Sequence, residues 1–215
     1  MGNAVIDTCR IIHVMEDSPG ERVRSDSNEE IMLATYRALR EHGYADLTIK
    51  RIAEEYGKST AAVHYYYETK DDLLVAFLDY LLGQFIDTVH EVETIDPEQR
   101  LDLLLDKLLT DPAGHRNLLV ALLEMQSQAP YKSTFRKQLQ QNDEYLRYLL
   151  RTVISHGIEE GVFSDVDAEH AAKSLMTIIH GGRTRTVVLD DPSAFVTARR
   201  TANDYVDAVL QTNPE

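Results

Sequence analysis

Leu47-Thr48-Ile49-Lys50-Arg51-Ile52-Ala53-Glu54-Glu55-Tyr56-Gly57-Lys58-Ser59-Thr60-Ala61-Ala62-Val63-His64-Tyr65-Tyr66-Tyr67 is the stretch on which the reading of this chain turns. Thr48 and Ser59 are residue types that cap helix N-termini, and each precedes a short run at the helical period. Gly57 lies between the two runs and permits the positive φ of a tight turn. Two short capped helices across a glycine turn make a helix-turn-helix. Ile52 and Ala53 would face Val63 across the crossing, with Ala53 small enough for close approach. The second helix opens on Ser59, Thr60, Ala61 and Ala62, side chains small enough for its N-terminal end to enter a major groove. The polar tips of His64, Tyr65 and Tyr66 would then reach the flanking phosphates. Three consecutive tyrosines suit a core or a partner surface equally well, so the helix pair alone leaves both readings open.

Outward from this stretch nearly every segment keeps the helical period, and no strand-like alternation appears. Ser27-Asn28-Glu29-Glu30 has the form of a capping box, which predicts a helix through Ile31, Thr35, Ala38 and Leu39 that Gly43 stops. Residues 1–24 show no clear period and read as a flexible arm or a misassigned start. Thr69-Lys70-Asp71-Asp72 caps a long fourth helix with a stripe at Leu73, Phe77, Leu81 and Phe85. Asp96-Pro97 starts a leucine-rich fifth helix. Further helices are predicted over about 114–127 and 131–156. Ser164 or Asp165 caps another, and Asp191-Pro192 starts the last. The expectation is an all-α chain with an N-terminal three-helix helix-turn-helix domain at 25–72. A larger helical bundle at 73–211 follows.

The chain of 215 residues is long enough for a sizeable core, and 43% hydrophobic with 27% charged residues is an ordinary globular balance. A single cysteine, Cys9, allows no internal disulfide and favours an intracellular reading. Asp7 and Arg10 interrupt the one apolar run near the start, so a secretory signal is not expected, nor is any membrane helix. The predicted location is the cytoplasm. The net charge of -14 is unusual for a nucleic-acid binder. It comes from 19 Asp and 17 Glu against 15 Arg and only 7 Lys. Such a balance resembles proteins of salt-in halophiles, whose acidic surfaces stay hydrated in concentrated KCl. The alternative is a mesophilic acidic protein that binds other proteins.

The run from 24 to 74 resembles the N-terminal domain of the TetR family of transcriptional regulators. It has a first helix ending in Glu41-His42-Gly43-Tyr44, then Leu47-Thr48, Ile52-Ala53, Gly57 and Ser59. Val63-His64-Tyr65-Tyr66-Tyr67-Glu68-Thr69-Lys70-Asp71-Asp72-Leu73-Leu74 is similar to the aromatic and lysine block that opens that family's fourth helix. The pattern departs at His64, Tyr66 and Tyr67, where tyrosine, histidine and phenylalanine are usual. The resemblance implies that Lys50 is a base or phosphate contact of the second helix. It implies that Thr60, Ala61, Ala62 and Tyr65 face bases, while His64, Tyr66 and Lys70 hold the backbone. Thr48 and Ser59, the two caps, complete the expected DNA-binding set. The implied partners are a palindromic double-stranded operator, a small-molecule effector and a second copy of the chain. From Ala45 to Leu74 four basic residues stand against six acidic ones, so few phosphate contacts and a shallow salt dependence are expected.

Residues 75–211 resemble the ligand-binding and dimerisation part of the same family, and 145–172 resemble the subgroup of the betaine-pathway repressors. His90, His115, Glu124, Gln126 and His180 stand as polar groups inside apolar runs and are the candidate effector contacts. Met176 and Ile179 on the eighth helix, with Phe195, Ala202, Tyr205, Val206 and Val209 on the ninth, are expected to pack against their two-fold mates. No paired Glu-x-x-His motif, HExxH, phosphate-cradling glycine loop or nucleophile elbow occurs, so the chain does not read as an enzyme. No cofactor and no metal site are expected. A helical adaptor that binds proteins is the reading left beside the regulator, with the acidic first domain in its favour.

Overall fold

The computed structural model describes residues 19–90, 96–109 and 116–211, with side chains from 27–87, 96–109 and 116–211. Among these residues the fold is all-α, as expected, with no strand. The first helix, α1 (Pro19–His42), starts eight residues before Ser27, so Ser27 lies inside it and is not its cap. The sequence arm at 1–24 therefore ends earlier: its last residues are helical, and 1–18 lie outside the described residues. The two reading helices are α2 (Ile49–Tyr56) and α3 (Thr60–His64). Then come α4 (Lys70–His90), α5 (Pro97–Leu109), α6 (Arg116–Gln128) and α7 (Ser133–Glu159). The chain closes with α8 (Ala168–Val188), α9 (Ser193–Tyr205) and a π-helical turn (Val206–Leu210).

Local chemistry explains the boundaries. Asp72 accepts from the Thr69 amide at 3.1 Å while its own amide donates to the Thr69 hydroxyl at 3.1 Å, a reciprocal box that starts α4. Asp96 accepts from the Gln99 amide at 3.1 Å, with Pro97 at the first helical position of α5. The cap of α8 is Asp167, which accepts from the His170 amide at 3.0 Å, and not Ser164 or Asp165. Ser164 is engaged elsewhere: its amide donates to the Leu210 carbonyl at 2.7 Å, tying this turn to the end of the chain.

Two cores hold the fold. One gathers Leu101, Leu105, Leu150, Ile154, Leu175, Ile179, Phe195 and Ala202 between α5, α7, α8 and α9. The other joins Leu47, Ile52 and Val63 of the small domain to Leu73 and Phe77 of α4, Ala121 and Met125 of α6, and Phe135 of α7. The sequence boundary at residues 72–73 thus crosses a shared core. In the first core α8 and α9 approach closely at Gly182, where an added Cβ would lie 2.5 Å from the Ala198 Cβ. Gly182→Ala must push the two helices apart and should cost about 1–3 kcal/mol. Gly83→Ala in α4, where a Cβ meets nothing within 4 Å, should instead stabilise by about 0.5–1 kcal/mol. Thermal unfolding of the two variants checks this; equal effects would mean that Gly182 does not set the α8–α9 spacing.

Candidate functional site

The reading head is built as its sequence dictates. Thr48 accepts from the Arg51 amide at 3.2 Å to cap α2, and Ser59 accepts from the Ala62 amide at 3.3 Å to cap α3. Gly57 adopts φ 71°, and the Lys58 amide reaches back to the Ala53 carbonyl at 3.2 Å, closing α2 before the turn. Ile52, Ala53 and Val63 are buried together, so the α2–α3 crossing is fixed by packing. From outside, Arg37 of α1 donates to the Glu55 carboxylate at 3.1 Å and to the Glu55 carbonyl at 2.9 Å, which holds α2 against α1.

What α3 presents outward is short and uncharged. Thr60 and Ala61 are exposed, Ala62 is half-buried, and His64 is exposed. The His64 Nδ1 lies 3.3 Å from the Tyr67 carbonyl. Tyr65 is 66% exposed. Its ring meets Tyr66 edge to face at 5.0 Å between centroids, so the half-buried Tyr66 supports it. The Tyr67 hydroxyl donates to Asn28 of α1, and burial raises its pKa; this third tyrosine is structural.

The cations of the head are used unequally. Lys50 is 80% exposed, with Glu54 one turn away at 3.8 Å. Arg51 donates to the Asp46 carbonyl, and Lys58 to Glu30 at 3.2 Å and the Tyr56 hydroxyl at 2.9 Å. Lys70 turns inward and donates to the carbonyls of Tyr44 and Leu47 at 3.1 and 3.0 Å. Burial pushes its pKa below the usual lysine range.

Beside the shared apolar core, polar ties also join the larger domain to the head. Asn117 of α6 donates to the Arg40 carbonyl at the end of α1, 2.6 Å away. Lys132, before α7, pairs with Asp71 in the first turn of α4 at 2.7 Å, and that carboxylate raises the lysine pKa. Partners 61 and 77 residues apart carry no local sequence signal, and sequence reading missed both ties.

The effector candidates are not brought together. Glu124 is half-buried at the junction, where its charge acts on Tyr44 and Lys70. Gln126 is exposed, because Ala121 and Met125 take the inward face of α6. His180 is exposed on α8 and faces Asp143 of α7 at 3.2 Å. The side chains of His90 and His115 lie outside the described residues. Arg183, passed over in the sequence, donates its Nε to the Leu108 carbonyl at 3.1 Å, and burial lowers its pKa. Among the described residues no group of three His, Cys, Asp or Glu could hold a metal ion, and no helix is long and apolar enough to cross a membrane.

The expected dimer face needs correction. Met176, Ile179, Phe195 and Ala202 are buried in the protomer's own core, and Tyr205, Val206 and Val209 pack half-buried against it. Each helix has one strongly apolar face, and α8 and α9 turn it toward α5 and α7. The apolar residues left outside are Val188, Leu189 and Val196, 63%, 58% and 71% exposed. Thr177, Gly181 and Thr184 precede Val188 at spacings of four, three and four and share its exposed face.

Comparison with known proteins agrees with this architecture. Residues 31–77 match the family model of bacterial regulatory proteins, tetR family, and residues 97–211 match that of the BetI-type transcriptional repressor C-terminal domain. The crystal structure of a TetR transcription regulator from Haloarcula marismortui is 69% identical, covers 87% of this chain and 100% of that one, and superposes with a TM-score of 0.82. A transcriptional regulator from Saccharomonospora viridis, crystallised in complex with choline, is 25% identical over 88% of this chain and 100% of that one, with a TM-score of 0.76. The HTH-type transcriptional regulator BetI 2 of Chromohalobacter salexigens is 26% identical over 192 residues, 85% of this chain and 87% of that protein. With a capped helix-turn-helix at its head and a BetI-type repressor domain behind it, this chain belongs to the TetR family of DNA-binding transcriptional regulators.

Proposed function

We propose that two copies of this chain bind a palindromic operator and leave it when a small molecule occupies the helical domain. The observation that carries the docking is the outward face of α3: Thr60 and Ala61 exposed at its start, then Tyr65, 66% exposed and braced by Tyr66. Thr60, Ala61, Ala62 and Tyr65 face bases in a major groove. Thr48, Lys50, Ser59, His64 and Tyr66 meet sugar and phosphate.

The two copies meet through the outer face of α8 and α9, centred on Val188 and Val196. Gly181 and Thr184 keep that face low enough for close helix approach. The effector enters the bundle of α4 to α8, and the choline bound by the similar Saccharomonospora regulator makes a small quaternary ammonium compound a class to test first. It releases DNA only if it binds better to a state whose heads are wrongly spaced. The ties through Asn117 and Lys132 add polar links between that bundle and the head to the core they share.

Tyr65→Ala should weaken binding to the DNA upstream of the chain's own coding sequence by about 1–3 kcal/mol in an electrophoretic shift, with unrelated DNA little affected. Unchanged binding would remove Tyr65 from the reading set.

Val196→Glu combined with Val188→Glu should give monomers in size-exclusion chromatography, while Val206→Glu should mainly lower thermal stability. A dimer that survives the double substitution would place the interface elsewhere.

The charge of -14 predicts one more outcome. At about 1 M KCl the Debye length falls to about 3 Å, which screens the repulsion among carboxylates. Thermal stability should therefore rise as KCl goes from about 0.1 to 3 M, with operator binding largely retained. Loss of binding within the first few hundred millimolar would defeat the halophilic reading.

A further inference from the structure

Lys70 is the first residue of α4, and its aliphatic stem runs back under the loop that joins α1 to α2. Its ammonium donates to the Tyr44 carbonyl at 3.1 Å and the Leu47 carbonyl at 3.0 Å. It also lies 4.6 Å from the centroid of the Tyr44 ring. An ammonium has three donors, and two are committed to carbonyls of the loop between α1 and α2, of which the Tyr44 carbonyl also accepts from the Leu47 amide at 3.3 Å. The Leu47 carbonyl immediately precedes Thr48, the cap of α2. The grip on this loop therefore fixes where α2 begins, and the buried α2–α3 crossing passes that position to α3.

The surroundings keep the lysine inward. Asp71, its neighbour, is held by Lys132 at 2.7 Å. Glu124 adds a negative charge on the same side. Lys50 is the contrast: 80% exposed, with only a 3.8 Å contact to Glu54.

We infer that Lys70 is a positioning residue, an internal strut that seats α2 and α3 on α4, and that it does not neutralise a DNA phosphate. This departs from the role that the family resemblance implies. It rests on the DNA-reading assignment above for its consequence in operator binding, but its structural part can be read without DNA.

The test uses the full-length dimer and the DNA upstream of the chain's own coding sequence, with affinity measured against KCl concentration. Each phosphate contact contributes about one to the slope of log affinity against log salt, so a residue present twice per dimer contributes about two. Lys50→Gln should reduce the slope by about two. Lys70→Met should lower affinity about tenfold or more at every salt concentration and leave the slope unchanged. Lys70→Arg should fail to restore affinity, because a planar guanidinium does not replace a compact ammonium between two carbonyls beneath a ring.

Amide hydrogen exchange of the free dimer supplies the second reading. Lys70→Met should speed exchange in residues 47–53, whereas a phosphate-only lysine leaves it unchanged. A slope reduced by about two in Lys70→Met, restoration by arginine, or unaltered exchange would each overturn the strut. If the wild-type dimer binds no such DNA while Lys70→Met still loosens 47–53, the operator assignment fails and the strut stands.

Discussion

A helix-turn-helix of some fifty residues buries only a small core of its own, and here that core is completed by the helices behind it. Leu47, Ile52 and Val63 cover one another only in part. They complete their burial against Leu73 and Phe77 of α4 and, through these, against Ala121, Met125 and Phe135. The head is therefore welded to α4, α6 and the start of α7 by apolar contact. The second core, between α5, α7, α8 and α9, holds the rest. Helix α7 runs through both, with Phe135 in one and Leu150, Val153 and Ile154 in the other. A shift of α7 or α6 cannot be absorbed by an empty seam, because close-packed interiors do not deform continuously.

The acid surplus sets a second constraint. In a chain with 36 acidic and 22 basic residues, cations would be expected to pair with carboxylates on the surface. Several bind backbone carbonyls: Arg51 that of Asp46, Lys70 those of Tyr44 and Leu47, Arg183 that of Leu108, and Arg37 that of Glu55 besides its carboxylate. Glu55 and Leu108 lie in the last turns of α2 and α5, where the macrodipole and unpaired carbonyls favour positive charge, and Tyr44, Asp46 and Leu47 lie in the loop between α1 and α2. Surface ion pairs contribute little and fade in salt, whereas a half-buried lysine on two carbonyls is screened much less. Cations placed inside keep their structural effect at high ionic strength, and the face of α3 is left to hydroxyls, methyls and rings.

Much of this was legible in the sequence, and the limits have a physical cause. Caps announce themselves locally, so Thr48, Ser59 and Asp96 were readable, as were Gly57 and the α2–α3 crossing. Ser27 was misread because a capping-box pattern also fits the exposed face of a helix already under way. Gln126 and His180 stood inside apolar runs yet face outward, since periodicity gives a face only when its phase is fixed by what packs on it. Met176, Ile179, Phe195 and Ala202 failed in the same way. An apolar stripe says that something covers it, and here the cover is the protomer itself. Val196, a lone exposed valine beside Phe195, was the available signal for the outer face. Lys132 with Asp71 and Asn117 with Arg40 had none, because only the folded chain makes them neighbours.

The ties at the junction bear on how a ligand in the bundle can reach DNA. Asn117 grips the end of α1, and Lys132 grips the start of α4, the two helices that flank the reading pair. Both grips come from opposite ends of one element, α6 and the loop that follows it. Moving α6 along its axis leaves their spacing unchanged, but tilting it pulls one flank of the head relative to the other. A ligand that wedges α6 away from α7 or α8 would couple to such a tilt. One that merely fills space in an unchanged bundle would bind both states equally and leave the operator occupied.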